Sequence, residues 1–337
     1  MVHSQTTIEN GGATLKVGAV VIGRNEGERL MKCLASVTQA ARTVVYVDSG
    51  STDDSVATAR SMSVAVVNLD MAMPFTAARA RNEGFRCLHQ LQPDLIYVQF
   101  VDGDCEIADD WMVNAAAFLD AHKDVAVVCG RLRERHPERS IYNMLCDIEW
   151  DTALGNTKAC GGNAMMRADA FDKAGGFLPG LIAGEEPELC VRLRASGWRI
   201  WRLSEAMALH DAAMTRFSQW WRRMQRSGYA YAQGAQLHGA PPERHGVSES
   251  RRAWFWALVI PAAIAVAVIG LGMPALVLLL IYPLQVIRLA LRGTHSVREN
   301  WLYALFLVLG KFPEMLGQAT FMFHRFMGSQ SRLIEYK

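Results

Sequence analysis

The 337-residue chain predicts an α/β body built on a doubly wound, mostly parallel sheet, followed by membrane-associated C-terminal helices. Three observations carry that expectation. Short β-branched runs alternate with helix-spaced apolar residues through roughly the first 130 positions. Carboxylates stand at the ends of those runs, and Trp254 to Ile287 is a stretch of 34 residues without one charged side chain.

VGAVVI (17–22), TVVYV (43–47), VAVV (64–67), LIYVQFV (95–101) and VAVVC (125–129) predict strands. Leu30, Cys33, Leu34 and Val37 follow the i, i+3, i+4, i+7 spacing of a helix that buries one face. A second helix is predicted over about 52–62, capped by Ser51 or Thr52 with Asp53 and Asp54 in its first turn. A third is predicted over roughly 75–91. Strands separated by helices and buried on both faces form parallel sheets, and such sheets bind ligands at the carboxyl ends of their strands. Asp48, Asp102 and Asp104 fall there.

With 51% apolar side chains the chain can bury a sizeable core. Its net charge of +2 hides a polarity: from Arg216 onward there are 14 Lys or Arg against 5 Asp or Glu, whereas residues 1–215 hold 21 against 28. An acidic body with a basic, apolar tail suits an anionic membrane surface rather than nucleic acid. The seven Cys, odd in number and without CxxC spacing, predict buried reduced thiols rather than disulfides or a zinc site. The first residues, MVHSQTTIENGGATLKVGAVV, lack the basic and long apolar regions of a signal peptide, so the body is expected to stay cytoplasmic.

GLGMP (270–274) interrupts the uncharged stretch, which predicts two short helices, about 254–271 and 274–291. Arg244, Arg251 and Arg252 precede them and Arg288, Arg292 and Arg298 follow, so both ends are expected on the cytoplasmic side of the inner membrane. A spanning hairpin, a re-entrant pair and a buried helix pair all remain open. The organisation expected is a catalytic body (1–215), amphipathic interfacial helices (216–252), the hairpin (253–292) and an interfacial helix with tail (293–337). In the second segment Trp220 and Trp221 are expected at headgroup depth, with Arg222, Arg223 and Arg226 on lipid phosphates.

The motif Asp102-Gly103-Asp104, at a strand end, can present two carboxylates to a hard divalent cation. Turn formation is the competing reading; an EF-hand is disfavoured because Ile107 stands where that loop needs Gly. Asp48 in VDSGSTDDS could accept hydrogen bonds from a base or ribose, or close an Asx-turn. Arg79, Arg81 and Asn82, on a helix beside the same sheet edge, would suit a diphosphate.

Taken together, AVVIGRNEGERLMKCLASV, VDSGSTDDS, ARARNEG, FVDGDC, ACGGNAMMRADAFDKAGGF and AGEEPELCVRLRASGWRI resemble the inverting GT-A glycosyltransferases of family 2, in that family's order and spacing over about 17–205. The resemblance implies a GT-A fold, a nucleotide-sugar donor (UDP most often) and Mn²⁺ or Mg²⁺. It implies that Asn25 and Glu26 face the nucleotide and that Asp48 reads the base, with Ser49 in place of a second acid. It further implies that Asp104 binds metal directly, that Asp102 is shared between ribose and metal, and that Gly161, Gly162 and Asn163 line the acceptor side. The general base falls on Glu186, with Glu185 as fallback; Glu185 and Glu188 are expected to crowd it and raise its pKa, at a helix start with Pro187 at the first position. His210 lies where some relatives supply a third metal ligand, although an ordinary histidine reads as well there. Gln219 and Arg222 match part of the QxxRW signature of processive synthases, but Arg223 replaces the Trp, and Arg222 could serve the leaving diphosphate on the acceptor side.

The expectation is then a membrane-attached hexosyltransferase acting on a polyprenyl-diphosphate-linked saccharide, in exopolysaccharide or envelope glycan synthesis. A sugar nucleotidyltransferase and a catalytically silent scaffold subunit are the alternatives. Released UDP or GDP, rather than inorganic diphosphate, separates the first from the second.

Overall fold

The structure, a computed structural model, describes residues 16–328. Residues 1–15, most of the stretch read against a signal peptide, lie outside them.

The body is one nine-stranded sheet flanked by helices. In chain order it runs β1 (Val17–Gly23), α1 (Glu28–Thr38), β2 (Thr43–Asp48), α2 (Ser55–Ser61), β3 (Ala65–Asn68), α3 (Ala77–Leu91), β4 (Tyr97–Asp102), β5 (Cys105–Ile107), α4 (Trp111–Ala121), β6 (Val125–Glu134), α5 (Ile141–Glu149), β7 (Gly155–Thr157), β8 (Ala164–Arg167), α6 (Ala168–Lys173), α7 (Glu185–Ala195) and β9 (Arg199–His210). The strand order is β3-β2-β1-β4-β8-β6-β9-β5, with β7 on β9. The half β3-β2-β1-β4 is parallel as predicted. The other half is mixed, because β8 enters antiparallel between β4 and β6 while β5 and β7 run antiparallel to β9. A strand buried on both faces has no polar alternation, so its direction is not written in its pattern.

The β1, β2, β4 and β6 runs form the core, with Val20, Val45, Val98 and Val127 fully buried. Leu30, Cys33, Leu34 and Val37 are the buried face of α1, each aliphatic side chain contributing about 1.5–3 kcal/mol. Thr76 Oγ1 caps α3 by accepting from Arg79 N–H. α2 starts at Ser55 rather than near Thr52, since residues 49–54 are spent on the turn described below. All seven Cys are free thiols, and six are buried.

Beyond the sheet come α8 (Phe217–His238), α9 (Val247–Trp254), α10 (Ile260–Leu271), α11 (Ile281–Ala290), α12 (Val297–Leu309) and α13 (Lys311–Phe326). A π-helical turn, Phe255–Val259, joins α9 to α10, and a 3₁₀ segment, Met273–Leu280, leads into α11. The outcome is two rods, Val247–Leu271 and Met273–Ala290, long and apolar enough to cross a membrane, with 11% of each apolar window buried. The first begins about seven residues earlier than the sequence suggested, since the polar turn Val247–Arg252 is helical too. Ile269 (86% exposed) and Leu271 (76%) do not fit the buried helix pair.

α8 is not a free interfacial helix. Trp220 is 3% exposed, packed among Met144, Leu145, Met214 and Phe306, with its ring 4.8 Å from that of Phe306. Arg223 Nη1 is tied to Glu149 Oε2 at 2.7 Å. The apolar volume between α5 and α12 takes the indole that amphipathicity alone would send to lipid. α8 also crosses α13 at backbone contact: a Cβ on Gly228 would lie 2.0 Å from Glu314 O. Gly228→Ala is therefore expected to cost about 1–3 kcal/mol, read as a melting temperature several degrees lower with the far-ultraviolet spectrum unchanged.

Candidate functional site

The first two βα turns are stapled together. Asn25, in the left-handed region at φ 55°, donates its N–H to Ser51 Oγ (2.9 Å) and accepts Thr52 N–H at Oδ1 (2.7 Å). Asp53 Oδ2 accepts from Gly27 N–H at 3.1 Å. Glu26 pairs with Arg29 at 2.8 Å. Asp48 is 4% exposed and turned into its own turn, with Tyr46 Oη, Gly50 N–H and Ser51 N–H donating to its oxygens at 3.0, 3.0 and 2.9 Å. Ser49 is fully buried. The Asx-turn reading is the one seen, and neither side chain has an open face for a base.

At the end of β4 the charges converge. Arg81, 3% exposed, donates from Nη2 to Asp102 Oδ1 (2.7 Å) and from Nη1 to Glu185 Oε1 (2.5 Å), and lies over the Phe177 ring. This arginine thus bridges two carboxylates instead of waiting for a diphosphate. Gly162 is required beside it, because a Cβ there would stand 2.7 Å from Arg81 Nη2 and 2.8 Å from Asp102 Oδ2. Gly161, at φ 78°, is exposed next to it, and a Cβ on Gly103 would meet Ile22 O at 3.1 Å.

Three other predicted residues prove to be braces. Arg79 is buried, donating from Nη1 to Met73 O (2.9 Å) and Pro74 O (2.8 Å) and from Nη2 to Asp70 O, so it closes the loop before α3. Asn82 grips the backbone of Phe177, donating to its O at 2.7 Å and accepting its N–H at 3.0 Å. Asn163, 2% exposed, accepts Asp102 N–H at 3.1 Å and donates to Cys105 Sγ at 3.3 Å, which fixes the carboxylate turn rather than lining an acceptor. Arg222 is exposed on α8; of the adjacent pair it is Arg223 that is tied back.

Asp104, 4% exposed, lies 3.4 Å from His210 Nε2 through Oδ2, because β5 pairs with β9 in a register that sets Cys105 opposite His210. Ligand atoms of Asp104, Cys105 and His210 fall within 4.8 Å of one another. Burial, then the charge of Asp102, pushes the Cys105 thiol up, leaving the carboxylate and the imidazole as the ready donors. His210 Nδ1 is buried, without a hydrogen-bond partner, 3.6 Å from Glu134 Oε2. Glu134 is itself fixed by Ala212 N–H and Asn143 Nδ2, both at 3.1 Å, and Trp150 meets the imidazole edge-on at 4.8 Å. An oxygen and nitrogen pair of this kind, backed by a carboxylate on the far ring nitrogen, fits Mn²⁺. Sequence reading missed Glu134 and Trp150, whose only signal was their position at the ends of β6 and α5, elements with no motif.

α7 begins at Glu185 behind Gly184, placing Pro187 at the third helical position rather than the first. Glu188 is bound by Arg192 Nη2 (2.7 Å) and His238 Nε2 (2.9 Å), so its charge is answered locally. Glu185 is held by Arg81, which leaves Glu186, half-buried, as the carboxylate at this edge. Its pKa is pushed up to about 7 by burial and then by Glu185, with Arg81 opposing. Two cavities, of about 390 and 600 Å³, lie elsewhere, the first against α5 and the second between α8, α9 and α13. Convergent carboxylates, rather than cavity size, mark this site.

The fold and the site define a class: a GT-A fold with its acidic strand end intact. Residues 19–175 match the family model described as glycosyl transferase family 2. The chain is 23% identical over 209 residues to Glycosyltransferase AglE of Haloferax volcanii, spanning 58% of this chain and 67% of that protein. Among solved structures it is similar to Mannosyltransferase PcManGT from Pyrobaculum calidifontis, in complex with GDP-Man and Mn²⁺, at TM-score 0.60 and 21% identity over 89% of this chain and 87% of that one. S. aureus TarS 1-349 in complex with UDP-GlcNAc follows at TM-score 0.50 and 15% identity, over 94% and 93%.

Proposed function

We propose that the protein is a metal-dependent inverting hexosyltransferase, moving a sugar from a nucleotide donor, UDP-linked by preference, to a lipid-linked saccharide at the cytoplasmic face of the inner membrane, in exopolysaccharide or envelope glycan synthesis. The observation that supports this reading is the Arg81 bridge, which joins Asp102, two residues before Asp104, to Glu185, the neighbour of Glu186.

Asp104 and His210 would hold Mn²⁺, with Asp102 beside them, and a bound cation there would supply neutralisation of the departing diphosphate. The chain's own residues do the rest. Arg81 and Asn163 hold Asp102 in one orientation, which spares reorganisation during transfer. Glu186 takes the proton of the acceptor hydroxyl as its oxygen bonds to the anomeric carbon; the bond to the diphosphate breaks on the opposite face, and its electron pair leaves with the nucleotide. Gly161 and Gly162 leave the approach to Asp102 open. The two apolar rods and the basic tail would keep the enzyme where a lipid-borne acceptor is concentrated.

A thermal-shift series with UDP, GDP and their sugars, with and without Mn²⁺, tests this. One nucleotide–metal pair is expected to raise the melting temperature, since saturation at 100 times Kd adds about 2.7 kcal/mol. No response to any pair would sink the reading, as would release of inorganic diphosphate in place of UDP or GDP during turnover.

A further inference from the structure

We infer that the groove between α8, α9 and α13 holds the hydrocarbon chain of the acceptor's own carrier, a single-chain lipid phosphate. The inference rests on the lipid-linked acceptor proposed above.

The groove has a volume of about 600 Å³, within the range of small-molecule sites, and Ala232, Ala235, Ser250, Trp254, Phe321 and Arg325 are among its lining residues. Residue size shapes this open groove. Ala232 and Ala235 stand one turn apart on α8 and leave room that a larger side chain would fill, while Trp254 and Phe321 wall it with aromatic surface. The rim is apolar in a way that water alone disfavours: Phe326 is 88% exposed and Met322 57%.

Three features decide for a lipid over a protein partner. The groove touches the first apolar rod at Trp254, where the uncharged run begins, so it is continuous with the segment that would meet the bilayer. Arg325 lies at the groove, and Arg251 and Arg252 are exposed on α9, which complements a phosphate. Ser250 Oγ, from a residue of the groove wall, is buried without a hydrogen-bond partner, a cost that a phosphate oxygen would remove.

The groove also shares a wall with the chemistry. Phe321 and Ala232 pack with Ile182 and Tyr229 in one cluster. Ile182 lies two residues before Gly184, which abuts Ala230 and starts α7 directly ahead of Glu185 and Glu186. A carrier chain held here delivers its sugar-bearing end toward the base, and the enzyme gains a grip on the acceptor that is independent of which sugar it carries.

The experiment uses the full-length protein in detergent with a long-chain polyprenyl phosphate bearing a benzophenone, photolysed and mapped by peptide mass spectrometry. Labels are expected on 232–236, 250–254 and 318–326. Labels confined to 255–290, or equal labelling of the groove by a benzophenone phosphatidylglycerol that polyprenyl phosphate does not compete away, would overturn the inference in favour of ordinary annular lipid. Ala235→Trp is expected to lower groove labelling about fifteenfold, because each buried methylene lost weakens binding roughly fourfold and the indole excludes at least two. The same variant keeps its nucleotide–Mn²⁺ thermal shift. Unlabelled groove with that shift intact rejects the groove alone. A labelled groove with no shift in any variant upholds the groove and rejects the proposed donor chemistry.

Discussion

Asp104→Ala is expected to reduce sugar transfer by about 10³ or more, near 4 kcal/mol of lost transition-state stabilisation. The reason is positional. Asp104 is the buried carboxylate facing His210, and its backbone O, which accepts Asp211 N–H at 3.1 Å, survives the substitution, so the β5–β9 pairing should hold. The variant is therefore expected to melt close to the wild-type temperature without ligand and to lose the extra stabilisation that Mn²⁺ adds to a nucleotide. Retained transfer, or lost transfer with the manganese effect intact, would show that this carboxylate is not the cation's anchor.

Glu186→Gln should lower kcat by about 10²–10⁴, the usual contribution of a positioned base, while the donor KM and the nucleotide–Mn²⁺ shift stay unchanged. In the wild type, kcat should rise with pH through about 7, because burial and Glu185 keep the Glu186 carboxyl protonated below that value. The rise should vanish in the glutamine variant. Stability carries the opposite sign: a carboxyl whose folded pKa lies above its ordinary value contributes most below about 4.5, and that contribution is lost as pH climbs through about 7. Glu186→Gln should accordingly be the more stable protein at alkaline pH. If Glu185→Gln removes the pH-dependent rise and Glu186→Gln does not, the base is Glu185; its bond to Arg81 argues the other way.

Much of this was legible before any fold was drawn. The β-branched runs and the Leu30, Cys33, Leu34, Val37 spacing fix where chain enters the core, because burial of apolar surface depends on local periodicity. The acidic strand ends were legible for the same reason: the strand's last residue is known once the strand is. Less could be read where a side chain's partner is remote in sequence. Arg79, Arg81 and Asn82 look alike on a helix, yet one closes a loop, one bridges Asp102 to Glu185 and one grips Phe177, and those partners lie up to 104 residues away.

The sequence by itself determined the parallel half-sheet, the uncharged run 254–287 broken near its middle and the carboxylates at the end of β4, since each follows from a periodicity or a charge that a short window contains. Tertiary structure alone decided that β8 enters antiparallel, that Trp220 goes inward, that Asp48 is spent on its own turn and that Glu134 stands behind His210. Pairing direction and hydrogen-bond choice depend on which distant groups arrive within about 3 Å, and that is settled by packing, where competing local preferences differ by only about 1 kcal/mol.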